Sequence, residues 1–375
     1  MKTTILIVGA GPYGVSLAYE LWRKNIDFVI VGKPFDSWLS HTLTDTAIRS
    51  DHHASEIFSK DKKFNLSTFI EKNFPADAVE IKKSRLPNAL FRAYLLDVLH
   101  KMPFSFYKKQ LLSLEKSENG FIGRMEDGIQ IYAKKVVLAT GIGVHKKLPE
   151  SLRKLETKQV HHSWDVVDYE AVKGKQVMVI GGGQSAAECV HHIKKQNAVT
   201  WVLRKTPVFY SEPINLPKPI FKLLLQLSPA FYFMPSALKR ILGRKFVETT
   251  ITPDMEEVFH SQDATVIIGL DADKMHWKVQ GDRLYSPIMD QAFDHIICAT
   301  GFHLDLRHLS FISDSLMENI QDTGGPLEVD FNFETKVKGL YIIGGMVEPV
   351  YGPAQRFLMG MRHSTLRLGK VFTNG

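Results

Sequence analysis

Apolar positions in this chain gather into a few short unbroken runs separated by mixed stretches. Ile5-Leu-Ile-Val8, Phe28-Val-Ile-Val31, Val136-Val-Leu138, Val177-Met-Val-Ile180, Val199 to Leu203, Ile296-Ile-Cys298 and Leu340-Tyr-Ile-Ile343 are the clearest. Such runs, rich in β-branched residues, suit strands buried on both faces of a parallel sheet. Between them the pattern lengthens to that of helices. Val15 to Lys24 and Ala187 to Lys195 predict helices, as does Pro87 to Leu99, with Leu90, Tyr94, Leu95 and Val98 in its apolar stripe. Ser105 to Tyr132 reads as a β-meander turning at Glu126-Asp127-Gly128. Short strands are expected over 265–270, 274–279 and 283–285, and a last helix over Ala354 to Leu368, with Pro353 at its favoured start. Strands alternating with helices predict an α/β fold.

Glycines end several of these runs. Gly9, Gly11 and Gly14, with Pro12 and Tyr13 between them, stand where the first strand meets the first helix. This is a dinucleotide fingerprint. Gly9 permits the tight turn, Gly11 lets backbone approach a pyrophosphate, and Gly14 allows close packing of helix on strand. A second turn, Gly181-Gly-Gly183-Gln184-Ser185-Ala186, has Ala186 at the third small position. Two fingerprints imply two nucleotides, and so electron transfer between two cofactors. The chain is therefore expected to form two Rossmann-like dinucleotide-binding domains, the second inserted into the first. The expected division is 1–155, 156–285 and 286–375.

The strand after the first turn ends in Gly32-Lys33, where the fingerprint usually carries an acid for the ribose hydroxyls. Lys33 could meet a phosphate or an adenine edge. The strand after the second turn ends in Arg204-Lys205, two cations that suit the 2′-phosphate of NADP and leave NAD's hydroxyl without its acceptor. Ala139-Thr140-Gly141, its echo Ala299-Thr300-Gly301, and Gly345 end strands in small residues, where backbone can come close to a ligand or a crossing chain.

At 375 residues the chain is long enough for two cores. With 44% hydrophobic and 23% charged residues, it has the balance of an ordinary globular protein. Its 47 basic against 40 acidic residues give +7, but the excess is scattered. That argues against a nucleic-acid partner and for a modest pull on anionic cofactors. Cys189 and Cys298 lie far apart with no CxxC, which fits a reducing cytoplasm and argues against a dithiol–disulfide reductase. The first strand begins at once, so no secretory leader is expected. Adjacent His52 and His53 lack a third ligand at a useful spacing and read as polar loop histidines, with no metal. Residues 207–253 break the α/β rhythm with an apolar segment cut by Pro229 and Pro235 and rimmed by Lys239, Arg240, Arg244 and Lys245. It is shorter than the ~20 residues of a membrane span. A lid over an apolar substrate or a homodimer interface suits it better than contact with a membrane surface.

Together, the two turns, the two Ala-Thr-Gly strand ends and Gly339-Leu-Tyr-Ile-Ile-Gly-Gly345 resemble the two-dinucleotide-binding-domain flavoproteins over nearly the whole chain. Within them the likeness is to flavin-dependent monooxygenases, above all the lysine/ornithine N-hydroxylating branch with its flavin-containing and Baeyer–Villiger relatives. Gly181 to Ala186 looks like the Gly-x-Gly-Gln-Ser-Ala turn of the N-hydroxylases. Asp294-xxx-Cys298-Ala-Thr-Gly-Phe302 is similar to their Asp-xxx-(Leu/Phe)-Ala-Thr-Gly-Tyr element. Phe35-Asp-Ser-Trp38 resembles the Gly-Thr-Trp region of the Baeyer–Villiger type. The Phe-x-Gly-xxx-His signature of two of these groups survives only as His162-Ser163, with Glu156 and Lys158 at its first two positions.

The resemblance implies FAD on the first domain and NADPH on the second. Reduced flavin would then form a C4a-hydroperoxide with O2 and oxygenate a small-molecule substrate. It would put Gln184 and Ser185 near the NADPH phosphates or nicotinamide, and Trp38, Ser50, Asp51 and His52 near the flavin ring. The last three are candidates for polarising the flavin or its peroxide. Two other readings stay open: NADPH:acceptor oxidoreduction through FAD to a quinone or a protein, and a non-enzymatic redox sensor.

Overall fold

The computed structural model describes residues 1–43, 45–48, 52–155, 157–166, 168–209, 228–239, 241, 251–320 and 327–374. The chain divides into two compact units. One holds Met1–Val144, Asn215–Arg244 and Leu304–Gly375; the other holds His145–Ile214 and Lys245–His303.

The first unit is built on strands β1 (Lys2–Val8), β2 (Phe28–Val31), β3 (Leu111–Ser117), β4 (Gly120–Met125) and β5 (Gln130–Leu138), with the last strand of the chain, β14 (Leu340–Ile342). β1 lies between β2 and β5, parallel to both. One edge of β5 faces β1 along its length. Its other edge is shared: residues 130–133 pair antiparallel with β4, and residues 136–138 pair parallel with β14. The meander's third strand and the buried Lys135–Leu138 run are thus one strand. The fingerprint helix runs over Pro12–Arg23 and starts earlier than its apolar pattern suggests, because proline is well placed in a first helical turn. The expected last helix is corrected: Pro353–Arg356 and Leu358–Gly360 are 3-10 turns, and the helix proper is Met361–Asn374. Gly360 lies at the end of the earlier stretch, packed so closely on the Ala354 carbonyl that a Cβ there would stand 2.4 Å from it.

The second unit carries a five-stranded parallel sheet. Its strands are β6 (Val160–His162), β7 (Gln176–Ile180), β8 (Ala198–Leu203), β9 (Ala264–Ile268) and β13 (His295–Cys298), in the order β6-β13-β7-β8-β9. A small antiparallel sheet, β10 (Lys278–Gln280), β11 (Arg283–Ser286) and β12 (Gln291–Phe293), precedes β13. The expected boundary at residue 286 therefore moves past His303, since β13 fills the place between β6 and β7. Side chains alternate across this sheet. Val177, Val179 and Trp201 enter one apolar cluster, while Met178, Ile180 and Val202 enter another. Burial on both faces is why these strands read as unbroken apolar runs.

Most of the apolar insertion, residues 210–227 and 242–250, lies outside the described residues. Within 228–239, Tyr232 packs on Phe331 and Tyr351 with ring centroids 5.3 and 5.2 Å apart. This stretch groups with the first unit.

Candidate functional site

Gly9 leaves β1 with φ +110, a conformation that side chains disfavour. Its N–H donates to the Val31 carbonyl at 3.0 Å. A Cβ on Gly9 would stand 2.3 Å from the Ala139 oxygen, and one on Gly14 would stand 1.9 Å from the Gly9 oxygen. Around Gly11 there is nothing within 4 Å of the same position. Gly9 and Gly14 are thus fixed by the fold, and Gly11 faces open space. No side chain caps the helix that starts at Pro12, so its leading N–H groups and positive dipole end remain for an anion. The buried Thr140 hydroxyl beside the turn has no partner among the described residues. An open glycine, uncapped donors and an orphaned hydroxyl together fit a dinucleotide.

The acid missing from the end of β2 also has a local explanation. Gly32 has φ +117, and its N–H donates to the Tyr107 carbonyl at 2.9 Å. Lys33 is exposed. Trp38 meets Phe91 edge-on at 4.9 Å, which makes it part of the aromatic packing on the helix Asn88–His100. Gly345 is buried against Ile142, just past the Ala139-Thr140-Gly141 strand end, and Pro353 opens the 3-10 segment. Buried His52 begins a short 3-10 turn; Ser50 and Asp51 lie outside the described residues.

The second unit repeats the first turn. Gly181 has φ +145 and donates to the Val202 carbonyl at 3.1 Å; a Cβ on it would stand 2.2 Å from the Ala299 oxygen. Ala139 and Ala299 donate in turn to the Val8 and Ile180 carbonyls, each at 2.8 Å. The helix Gln184–Ile193 follows, preceded by Gly183 without a side-chain cap. Ala186 is fully buried, so this turn accepts a methyl group where the first cannot. Ser185, Arg204 and Lys205 are exposed, and no described carboxylate pairs with either cation.

Gln184 is placed differently. Only 6% exposed, it donates to Glu188 at 2.8 Å and to the Thr252 hydroxyl at 3.0 Å, and it accepts the Thr252 N–H at 2.9 Å. Its amide ties the helix start to Thr252. Thr300 differs from Thr140 in the same way, because its hydroxyl donates to the Lys147 carbonyl.

Sequence reading passed over Trp201, and it placed Tyr13 in the first turn and His162 in a signature remnant without the backbone contacts they make. Trp201 is fully buried, and its indole N–H donates to the Gly181 carbonyl at 2.8 Å. His162 accepts the Trp164 N–H on Nδ1 at 3.1 Å and holds the Gly301 carbonyl through Nε2 at 2.9 Å. That pattern leaves the proton on Nε2, and burial lowers the pKa of the ring. Tyr13 reaches the carbonyls of Gln355 and Phe357. All three bond backbone, a role for which residue type and spacing give no sign.

Both thiols are buried. Cys189 lies 3.0 Å from the Tyr169 hydroxyl, and burial pushes each cysteine up to about 12. Neither is a thiolate near neutrality. Among the described residues, no helix is long and apolar enough to cross a membrane.

The model of the pyridine nucleotide-disulphide oxidoreductase family matches residues 6–219, more than half of the chain. A thioredoxin reductase from Mycoplasma genitalium is 22% identical over 340 residues, covering 91% of this chain and 86% of its own. Among solved structures, an ornithine hydroxylase from Pseudomonas aeruginosa superposes with a TM-score of 0.77 at 16% identity, over 100% of this chain and 99% of that one. An ornithine N-hydroxylase from Kutzneria sp. 744, solved with reduced FAD, NADP+ and L-ornithine, gives 0.79 at 16%, with the same coverage. At these identities the likeness is one of fold, that of chains with two dinucleotide-binding domains.

Proposed function

The chain belongs to the pyridine nucleotide-disulphide oxidoreductase family, and from that premise we propose that it is an NADPH-dependent FAD monooxygenase. One observation carries the reading: two complete nucleotide turns stand in a chain whose two thiols are buried and neutral. Electrons delivered by the nicotinamide have no dithiol to receive them. The bound flavin would supply hydride acceptance and O2 activation; the protein supplies binding, orientation and shielding from water.

The first unit holds FAD. Gly11 admits the pyrophosphate, the N–H groups after Pro12 meet its charge, and the Thr140 hydroxyl has an acceptor to find. The second unit holds NADPH, with Ser185 at the helix start and Arg204 and Lys205 on the 2′-phosphate. Gln184, His162 and Trp201 hold backbone around this second site. The substrate is a small organic molecule, and the aromatic side chains of residues 231–233 favour an apolar one. Free thiols suit the cytoplasm.

Stopped-flow mixing of the NADPH-reduced holoprotein with O2 tests the reading. A transient absorbance distinct from both oxidised and reduced flavin is expected. Direct reoxidation without one would assign the chain to electron transfer toward a quinone or protein acceptor. Purified protein that takes up no FAD would overturn both.

A further inference from the structure

Tyr13 spans from the first glycine turn to the closing segment of the first unit. Its ring lies against Gly344, where an added Cβ would stand 3.6 Å away. Its hydroxyl is 2.8 Å from the Gln355 carbonyl and 2.9 Å from that of Phe357. Gly360 completes the enclosure, since a Cβ there would meet the Tyr13 oxygen at 2.4 Å. Burial raises the phenol well above its ordinary pKa, so it remains a donor at any physiological pH. One O–H can serve one carbonyl fully or two in a shared bond.

Both acceptors belong to the Pro353–Gly360 stretch of 3-10 turns, whose own hydrogen bonds have poorer geometry than those of an α-helix. The stretch follows β14, and β14 pairs with the carboxyl-terminal half of β5. It therefore emerges at the same sheet end as Gly9 and Ala139, where open α/β sheets take their ligands.

We propose that Tyr13 is a positioning residue for the flavin ring: it holds the Pro353–Gly360 segment against the first turn, so that the pyrophosphate cradle and the surroundings of the ring stay in register. This rests on reading the first turn as the FAD site. Tyr13 itself does no chemistry. Removing its hydroxyl leaves Gly9, Gly11 and Gly14 as they are and frees the segment whose carbonyls it held.

Tyr13→Phe keeps the ring on Gly344 and deletes the hydroxyl. In saturating FAD the variant holoprotein should bind the cofactor with a dissociation constant raised by about tenfold at most, the worth of one hydrogen bond. Its bound flavin should nonetheless show a changed absorbance envelope, brighter fluorescence and a shifted reduction potential. Tyr19→Phe is the control: it lies on the same helix and loses a hydroxyl bonded to Asp61, so it should lower stability without moving the flavin signals. Gly360→Ala presses a methyl group on both the Tyr13 hydroxyl and the Ala354 carbonyl, each 2.4 Å away, so it displaces the same segment and should reproduce the spectral change. Unaltered absorbance, fluorescence and potential in Tyr13→Phe, or in Gly360→Ala should the first variant not fold, overturns the proposal. A wild-type protein without FAD overturns the reading of the site itself.

Discussion

The carbonyl oxygen of Ala139 occupies the space that a side chain on Gly9 would need, 2.3 Å from where its Cβ would stand. The first glycine is thus spent on a neighbouring strand, while of the turn's three glycines Gly11 alone faces open space. Gly9→Ala must accept both the clash and a positive φ, at a cost of about 3 kcal/mol or more. Gly11→Ala should leave stability within about 1 kcal/mol of wild type and lose FAD. Thermal unfolding of the apoproteins beside flavin content after reconstitution separates the two. Equal destabilisation by both substitutions would contradict this division of labour.

Trp201 and Gly181 provide a second test. Trp201→Phe leaves the Gly181 carbonyl without its indole donor, which should cost about 1–3 kcal/mol in urea unfolding. NADPH should bind more weakly as the turn loosens. An unchanged unfolding midpoint would mean that water replaces the indole.

Cofactor choice should follow Arg204. Arg204→Ala is expected to raise the KM for NADPH by about tenfold, the worth of one charge-assisted hydrogen bond, and to leave NADH unchanged. A wild-type preference for NADH would refute the roles given to Arg204 and Lys205.

Acid should weaken the fold. Burial lowers the pKa of His161, His162, His295 and His363, the last to about 4. The folded state keeps these rings neutral, and the unfolded chain binds protons near pH 6.5. The unfolded state therefore holds more protons below that pH, and stability falls as pH drops from about 6.5 toward 4. Tm measured in steps across that range should decline, and His363→Phe should flatten its lower part. A Tm that holds or rises between pH 6.5 and 5 would contradict these assignments.

The thiols should be bystanders. Native protein at pH 8 should react slowly with a thiol reagent and quickly once denatured. A Cys189→Ser, Cys298→Ala variant should retain NADPH oxidation. Loss of that activity from a variant that still binds FAD would return the chain to disulfide chemistry.

Strands β1, β2, β7, β8, β13 and β14 were legible because burial on both faces leaves unbroken apolar runs, and the two turns because only glycine fits beside a crossing carbonyl. The paired role of Ala139 and Ala299 was half-legible: small residues signalled a close approach, and the fold shows that the approaching group is the chain itself. Partnership was not legible. Gln184 carries a motif position yet bonds Thr252, and β13 follows the antiparallel sheet yet completes the parallel one. Neither local propensity nor spacing encodes contacts made across such separations.

The shared edge of β5 also sets an order of assembly. Residues 136–138 wait for β14, which is made only after the whole second unit has left the ribosome. The second nucleotide domain can close during synthesis, while the first, though begun earlier, is completed last. A nascent chain stalled before Leu340 carries Gly9, Gly11 and Gly14 but has an open sheet edge beside them, a surface that invites pairing with another chain. The first cofactor site is thus begun before the second unit is made and completed only after it.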